Sequence, residues 1–280
     1  MPLGQLSGIR RGVALVATCL GDVRVGWWLT ATRLPPMPQT PVESDVPRPT
    51  DHALSGCVVA IDGPSGSGKS SVSKQVARAL RYAYLDTGAM YRALTWWCLA
   101  QGIDLDDPAA VFSAATNFPL VIGTDPDDPS VSVGGTDVAI AIREPRISTT
   151  VSKVATVVPV REVLRELQRD LISEAGAARG GVVLECRDIT TVVAPDAPVR
   201  ILLTASEEAR LARRSRELHG DADAASIDAT RSQVIDRDKA DSTVSQFIVA
   251  ADGVTTIDTS HLDFEGSVEA VLQVVSAARA

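Results

Sequence analysis

The residues best placed to do chemistry stand together in Gly63-Pro64-Ser65-Gly66-Ser67-Gly68-Lys69-Ser70, which has the spacing G-x-x-x-x-G-K-S. Glycines at 63, 66 and 68 let the backbone turn tightly and bring its N–H groups up to an anion without a Cβ in the way. A helix starting near Gly68 adds the positive end of its dipole. Lys69 is placed to put a charge between the β- and γ-phosphates of a nucleoside triphosphate, and the Ser70 hydroxyl to ligate Mg²⁺. Ser71 closes this candidate ATP-binding stretch. The plainer reading is a glycine-rich turn. The flanks argue against it: the apolar run Cys57–Ile61 precedes, and Val72, Val76, Ala79 and Leu80 follow at helical steps, which is the strand–loop–helix context a phosphate-binding loop requires.

Transfer of a phosphoryl group to an acceptor that is itself a phosphate crowds negative charge. Fixed cations and exclusion of water must offset it. Asp86, Arg187 and Asp188 each follow a short apolar run, at the carboxyl ends of strands where open α/β sheets place function. Arg92, Arg143, Arg161, Arg213, Arg214 and Arg237 fall in helical or lid-like segments. Singly, each reads as a solvated surface arginine. Beside a phosphate loop they become candidates for phosphate contacts, because a guanidinium pairs bidentately with such oxygens.

These residues need a scaffold, and the pattern of the chain supplies one. Apolar runs at 57–61, 84–85, 182–184, 199–203 and 254–257 alternate with helical stretches. The fold class expected is α/β: a parallel P-loop sheet with helices on both faces. Thr87 can cap the helix that follows Asp86, and Trp96 and Trp97 read as core packing. Residues 103–140 change character, with a loop at Asp104–Pro108 and short strands at Leu120–Ile122 and Val131–Val133. The turn Asp125–Pro129 between them lacks the spacing of a calcium loop. Helical segments follow at about 144–157 and 160–178. We therefore expect a small α+β insert at about 103–160 and a helical lid at about 210–240.

The first fifty-odd residues differ. Arg10-Arg11 precede an apolar stretch, Val13–Leu20, which suggests a signal peptide, but Asp22 and Arg24 soon interrupt it and no clean cleavage site follows. Pro35–Pro49 has the composition of a linker. Residues 1–54 are expected to be a disordered or loosely attached extension, or an over-long start with Met37 as the later one, and residues 55–280 the working domain. The net charge of −8 argues against a nucleic-acid polymer or an anionic membrane as partner. The four cysteines, Cys19, Cys57, Cys98 and Cys186, form no C-x-x-C pair and read as free thiols of a cytoplasmic protein.

The segments IDGPSGSGKSS, YLDTGAMYR, RDITTVVAPDAPV and RDKADST resemble those of the bacterial cytidylate (CMP/dCMP) kinase family, P-loop nucleoside monophosphate kinases. The similarity runs from about Cys57 to the C-terminus, and LDTGAMYR together with RDxxTVVxPDAPV carries it. The resemblance implies transfer from ATP, with Mg²⁺, to CMP or dCMP in pyrimidine nucleotide metabolism, by a monomer with a mobile lid. It implies that Thr87, Arg92 and Arg187 hold the acceptor phosphate and that Ser152, Arg161 and Asp188 read cytosine. Arg237 and Asp241 would contact the sugar, and Arg213 and Arg214 would close from the lid on the ATP phosphates. The catalytic group would then be Lys69, Arg187, Arg214 and Arg237. Asp188 can accept from the exocyclic amine of cytosine or orient an arginine that does the reading.

Four positions depart from the family pattern. Cys186 and Thr190 stand where glycine is usual, Val244 where an arginine contacts substrate, and Ala141 where an acidic residue is common. A thiol at 186 is open to oxidation if it is exposed and Arg187 lowers its pKa. A catalytically weakened nucleotide-binding protein on the same fold is therefore the second reading, in which Val244→Arg with Cys186→Gly restores rate. No protein-kinase catalytic loop and no N-K-x-D segment of a GTPase is present.

Overall fold

The computed structural model describes residues 57–279. The extension read at 1–54 lies outside the described residues. Five parallel strands form the central sheet: β1 (Cys57–Asp62), β2 (Ala83–Asp86), β6 (Gly181–Cys186), β7 (Val199–Thr204) and β8 (Thr255–Asp258), in the order β2-β6-β1-β7-β8. Parallel neighbours need crossover connections, and α1 (Lys69–Leu80), α2 (Thr87–Ala100), α5 (Val158–Arg179) and α6 (Glu207–His219) lie on three of the four, while α9 (Phe264–Arg279) follows the last strand.

β1 shows why the sheet is buried on both faces. Val58 and Ala60 pack with Leu94, Leu164 and Ile172 from α2 and α5. Val59 and Ile61, pointing the other way, pack with Val72, Val76, Val271 and Val275 from α1 and α9. A strand covered on both sides reads as an unbroken apolar run, as β1 does.

A second, antiparallel sheet joins β3 (Leu120–Ile122), β4 (Val131–Val133) and β5 (Thr136–Asp137). Val131 and Val133 pack with Ala89 and Ala93 of α2, and Trp96 and Trp97 close the edge half-buried. The expected loop at 104–108 leads into a helix, α3 (Pro108–Thr116), whose first turn is capped by Asp107 accepting from the Ala109 and Ala110 amides. The β3–β4 turn is tied to the main body: Asp125 pairs with Arg179 at 2.7 Å and Asp127 with Arg78 at 2.8 Å. Helices α4 (Pro145–Ala155), α7 (Ala224–Arg231) and α8 (Arg237–Asp241) complete the described chain, with π-helical turns at Ile189–Val193 and Ser232–Asp236. None of the described helices is long and apolar enough to cross a membrane.

Candidate active site

The glycine-rich loop leaves β1 at its carboxyl end, beside the ends of β6 and β7. Close packing dictates two of its glycines. A Cβ at Gly63 would lie 2.2 Å from the Leu203 carbonyl oxygen of β7. Gly66 has φ +76° and abuts α6, where a Cβ would come within 2.6 Å of the Arg210 carbonyl oxygen. The loop is therefore clamped between the sheet and the base of α6.

Lys69 Nζ donates to the Pro64 carbonyl at 3.2 Å and lies 4.0 Å from Glu185 Oε2. The Ser70 hydroxyl donates to Glu185 Oε1 at 2.5 Å. Burial pushes the Lys69 pKa down, opposed by the Glu185 carboxylate. Burial pushes Glu185 up, with Asp86 adding to it and Lys69 opposing. Glu185 was missed from sequence, although it stands in the run that ends in Arg187 and Asp188; an acid at a strand end beside the loop was the available signal. Serine hydroxyl and carboxylate oxygen are hard donors, the type Mg²⁺ takes. No cluster of three or more metal-ligating side chains occurs among the described residues. That donor set fits an ion held mainly through phosphates and water.

Across the loop lies a cavity of about 470 Å³, lined among others by Lys69, Arg92, Arg161, Arg187, Arg214 and Arg237. That volume suits a small-molecule ligand. Its arginines are held by carboxylates. Arg92 pairs with Asp86 at 2.8 Å, and Arg187 with Asp238 and Asp241, both at 2.9 Å. Arg187 also lies over the Phe247 ring, 4.6 Å from its centroid. Donors are left over: Arg92 Nε, Arg187 Nη1 and Arg237 Nε are buried without a hydrogen-bond partner. Arg187 Nη1 is near Asp241 yet makes no aligned bond to it. Arg237 is pushed down to about 9 by burial and by the charges of Arg187 and Arg92. An incoming phosphate would supply what all three lack.

At the far end, Arg161 Nη1 donates to the Ala155 carbonyl at 2.8 Å, and its Nη2 reaches Asp188 at 2.5 Å and Ser245 Oγ at 2.8 Å. Its guanidinium carbon lies 5.7 Å from the Tyr91 ring centroid. Asp188 thus pairs with an arginine of the cavity wall.

The expected cap of α2 comes out differently. Thr87 does not cap α2; the Asp86 side chain does, accepting from the Ala89 amide. Thr87 is buried, and its hydroxyl donates to the Glu185 carbonyl. The Ser152 hydroxyl donates to Asp241 at 2.7 Å. Both hydroxyls donate to residues beside the cleft. Arg213 donates to the carbonyls of Ser67 and Thr259 and to the Thr259 hydroxyl. Arg214 lines the cavity and pairs with Glu217 at 2.8 Å.

The departures also acquire a structural account. Cys186 is buried, and its pKa is pushed up to about 12 by burial and by Asp188. Neither condition for an oxidisable thiol beside Arg187, exposure or a lowered pKa, is met. Val244 is half-buried just after α8, its amide bonded to the Asp241 carbonyl. Thr190 donates through its hydroxyl to Asp62 at 2.6 Å, and Asp62 also accepts from the Ile189 and Thr190 amides. This buried carboxylate, missed from sequence, anchors the turn after Arg187 and Asp188 to the strand that carries the loop.

Burial pushes the Asp62 pKa up to about 6, against the pull of its Thr190 and Ile189 hydrogen bonds. A carboxyl whose folded pKa is raised favours the fold fully below its unfolded value of about 4, and that contribution is lost as pH rises through the folded pKa. The stability of the protein minus that of an Asp62→Asn variant should therefore fall between about pH 4 and 6 and level off above. Denaturant melts of both across that range provide the check. A difference that stays flat would mean the carboxyl titrates normally.

Comparison with known proteins bears on this arrangement. The cytidylate kinase family profile matches residues 59–277. A cytidylate kinase of Streptomyces avermitilis is 48% identical over 80% of this chain and 94% of its own length. Those of Streptomyces coelicolor and Cutibacterium acnes are 50% and 45% identical, each over 80% of this chain and covering 94% and 97% of their own lengths. The match takes in the phosphate loop and the residues that line the cavity, and by sequence this chain belongs to the cytidylate kinase family.

Proposed function

We propose that the protein transfers the γ-phosphoryl group of ATP to CMP and dCMP, giving CDP and dCDP. The observation that carries the reading is the set of buried, unpartnered guanidinium N–H groups on Arg92, Arg187 and Arg237, converging on one cavity with Lys69 of the loop. Two phosphate-bearing substrates meeting there would find the donors and the charge the cleft lacks.

In this reading ATP lies along Gly63–Ser71, with the loop amides and Lys69 on its phosphates. Mg²⁺, supplied with ATP, would be held by Ser70, with Glu185 alongside it, and would neutralise charge on the phosphates. Arg92 and Arg187 take the acceptor phosphate. Arg161, oriented by Asp188 and Ser245, faces the base. Arg237 and Asp241 lie toward the sugar, and Ser152 and Thr87 support that end through Asp241 and Glu185. Arg214 reaches the cavity from α6, and the α6–α8 segment is the part that would move as a lid. A monomer in the cytoplasm, where both nucleotides are available, suits this chemistry. The family resemblance and the internal bonding of Thr190 support an ordinary member over a weakened one.

A coupled ADP-release assay with CMP, dCMP, UMP and AMP tests the reading. CMP and dCMP should turn over, with kcat/KM for UMP and AMP lower by about a hundredfold, because a site built around buried polar groups rejects a mismatched base edge strongly. Equal rates with all four, or none with any, would refute it.

A further inference from the structure

Asp238 has no part in the assignments above, yet it sits at the junction of the loop and the lid helices. Its side chain is buried at the start of α8. Oδ1 accepts from the Ser65 backbone amide at 3.0 Å and lies 2.9 Å from Arg187 Nη2. Oδ2 accepts from Arg210 Nη1 at 2.5 Å. Arg210 also donates to the Ser65 carbonyl at 2.9 Å, and Arg187 to the Ser65 hydroxyl at 2.6 Å. One carboxylate therefore takes a loop amide and two guanidinium groups, the partners a phosphate oxygen takes at a glycine-rich loop.

We propose that Asp238 is a positioning residue for phosphoryl transfer: it holds Arg187 and Arg210 against the loop, and phosphate oxygens compete with it for them. The inference rests on reading Gly63–Ser70 as the ATP site. Two guanidinium groups side by side repel each other, and a shared buried anion holds them together in a fixed geometry. Arg210 cannot drift far, because its own backbone carbonyl packs on Gly66. The carboxylate thus ties the lid helices to the loop at the place where charge moves during the reaction. It acts through the arginines and need not touch substrate.

The test uses the full chain and its Asp238→Asn variant, which keeps the shape and removes the charge. Measured are kcat, KM for ATP and CMP, and inhibition by orthophosphate competing with ATP. Two changes are expected together. The orthophosphate inhibition constant should fall about tenfold, because Arg210 has lost its counter-ion and Arg187 keeps only Asp241. At the same time kcat should fall about tenfold or more, because the same cations have lost their fixed place. KM for CMP should change by more than about threefold as well, since Arg187, one of the two arginines held by Asp238, also takes the acceptor phosphate. Reduced kcat with unchanged or weaker orthophosphate inhibition would show a role in lid stability alone and overturn the proposal, as would tighter inhibition with unchanged kcat. Asp238→Glu restores the charge and should bring the inhibition constant back to within about threefold of the parent; failure to do so overturns it too. If Asp238→Asn does not fold, Arg210→Gln probes the same pair, and a kcat within about twofold of the parent refutes the positioning role. A parent that releases no ADP from ATP with CMP would instead defeat the proposed function, and this inference with it.

Discussion

Replacing Lys69 with alanine should lower kcat by about 10²–10³-fold, since a preorganised cation aimed at charge that develops in the transition state is worth that much. The lysine is half-buried between the Pro64 carbonyl and Glu185, on the phosphate loop. It has little freedom to move, so its charge is in place before the reaction begins. The fold should survive the change. Glu185, whose pKa is already raised by burial and by Asp86, can take up a proton when its cation is removed, and Ser70 still donates to it. A melting temperature within a few degrees of the parent, with turnover reduced as stated, is the expected pair of results. A variant with near-parent kcat would remove the loop from the mechanism.

Asp188→Asn should have the second largest effect, on both stability and base selection. Asp188 and Arg161 are buried, and the pair is made at 2.5 Å. Removing one charge of a buried pair leaves the other uncompensated and costs roughly 3 kcal/mol or more. Arg161 would keep the Ala155 carbonyl and Ser245, which hold it in place and limit the loss. For a domain of this size the melting temperature should drop by roughly 6–12 °C. The guanidinium would also lose its fixed orientation toward the base. We expect kcat/KM for CMP to fall about 10- to 100-fold, as for loss of one charge-assisted contact, and that for UMP to fall less. Parallel losses with the two acceptors would mean that the pair only holds α5 to the end of β6.

Much of this was legible in the chain because the governing physics is local. The loop spacing needs only consecutive residues, since amides cradle an anion within one turn of chain. The continuous apolar runs of β1 and β6 marked strands buried on both faces, and Ser206-Glu207-Glu208 marked the start of α6, where Ser206 accepts from the Ala209 amide. The helix α3 was also legible, in the cap-and-proline pair Asp107-Pro108, but its Ala-rich sequence shows little periodicity and it was passed over for a loop. At the start of α2 the residue type pointed to Thr87 as the cap, but the backbone presents the Asp86 side chain to the Ala89 amide instead.

What the sequence by itself determined is the family, the parallel α/β fold and the position of the phosphate loop, because each depends on residue types at short, fixed spacings. Tertiary structure alone decided how the charges are shared out. Asp62 and Glu185 gain their roles only when β1, β6 and the loop come together, and Arg210 and Asp238 only when α6 and α8 reach the loop. The Ser65 amide finds Asp238 173 residues away, and Ser70 finds Glu185 115 residues away. The same packing sends the Arg213 guanidinium to backbone carbonyls and leaves donors on Arg92, Arg187 and Arg237 unpaired. A side chain's charge is written in its residue type. Whether it is spent on the protein or available to a substrate depends on desolvation and on partners that only the folded chain brings within hydrogen-bonding reach.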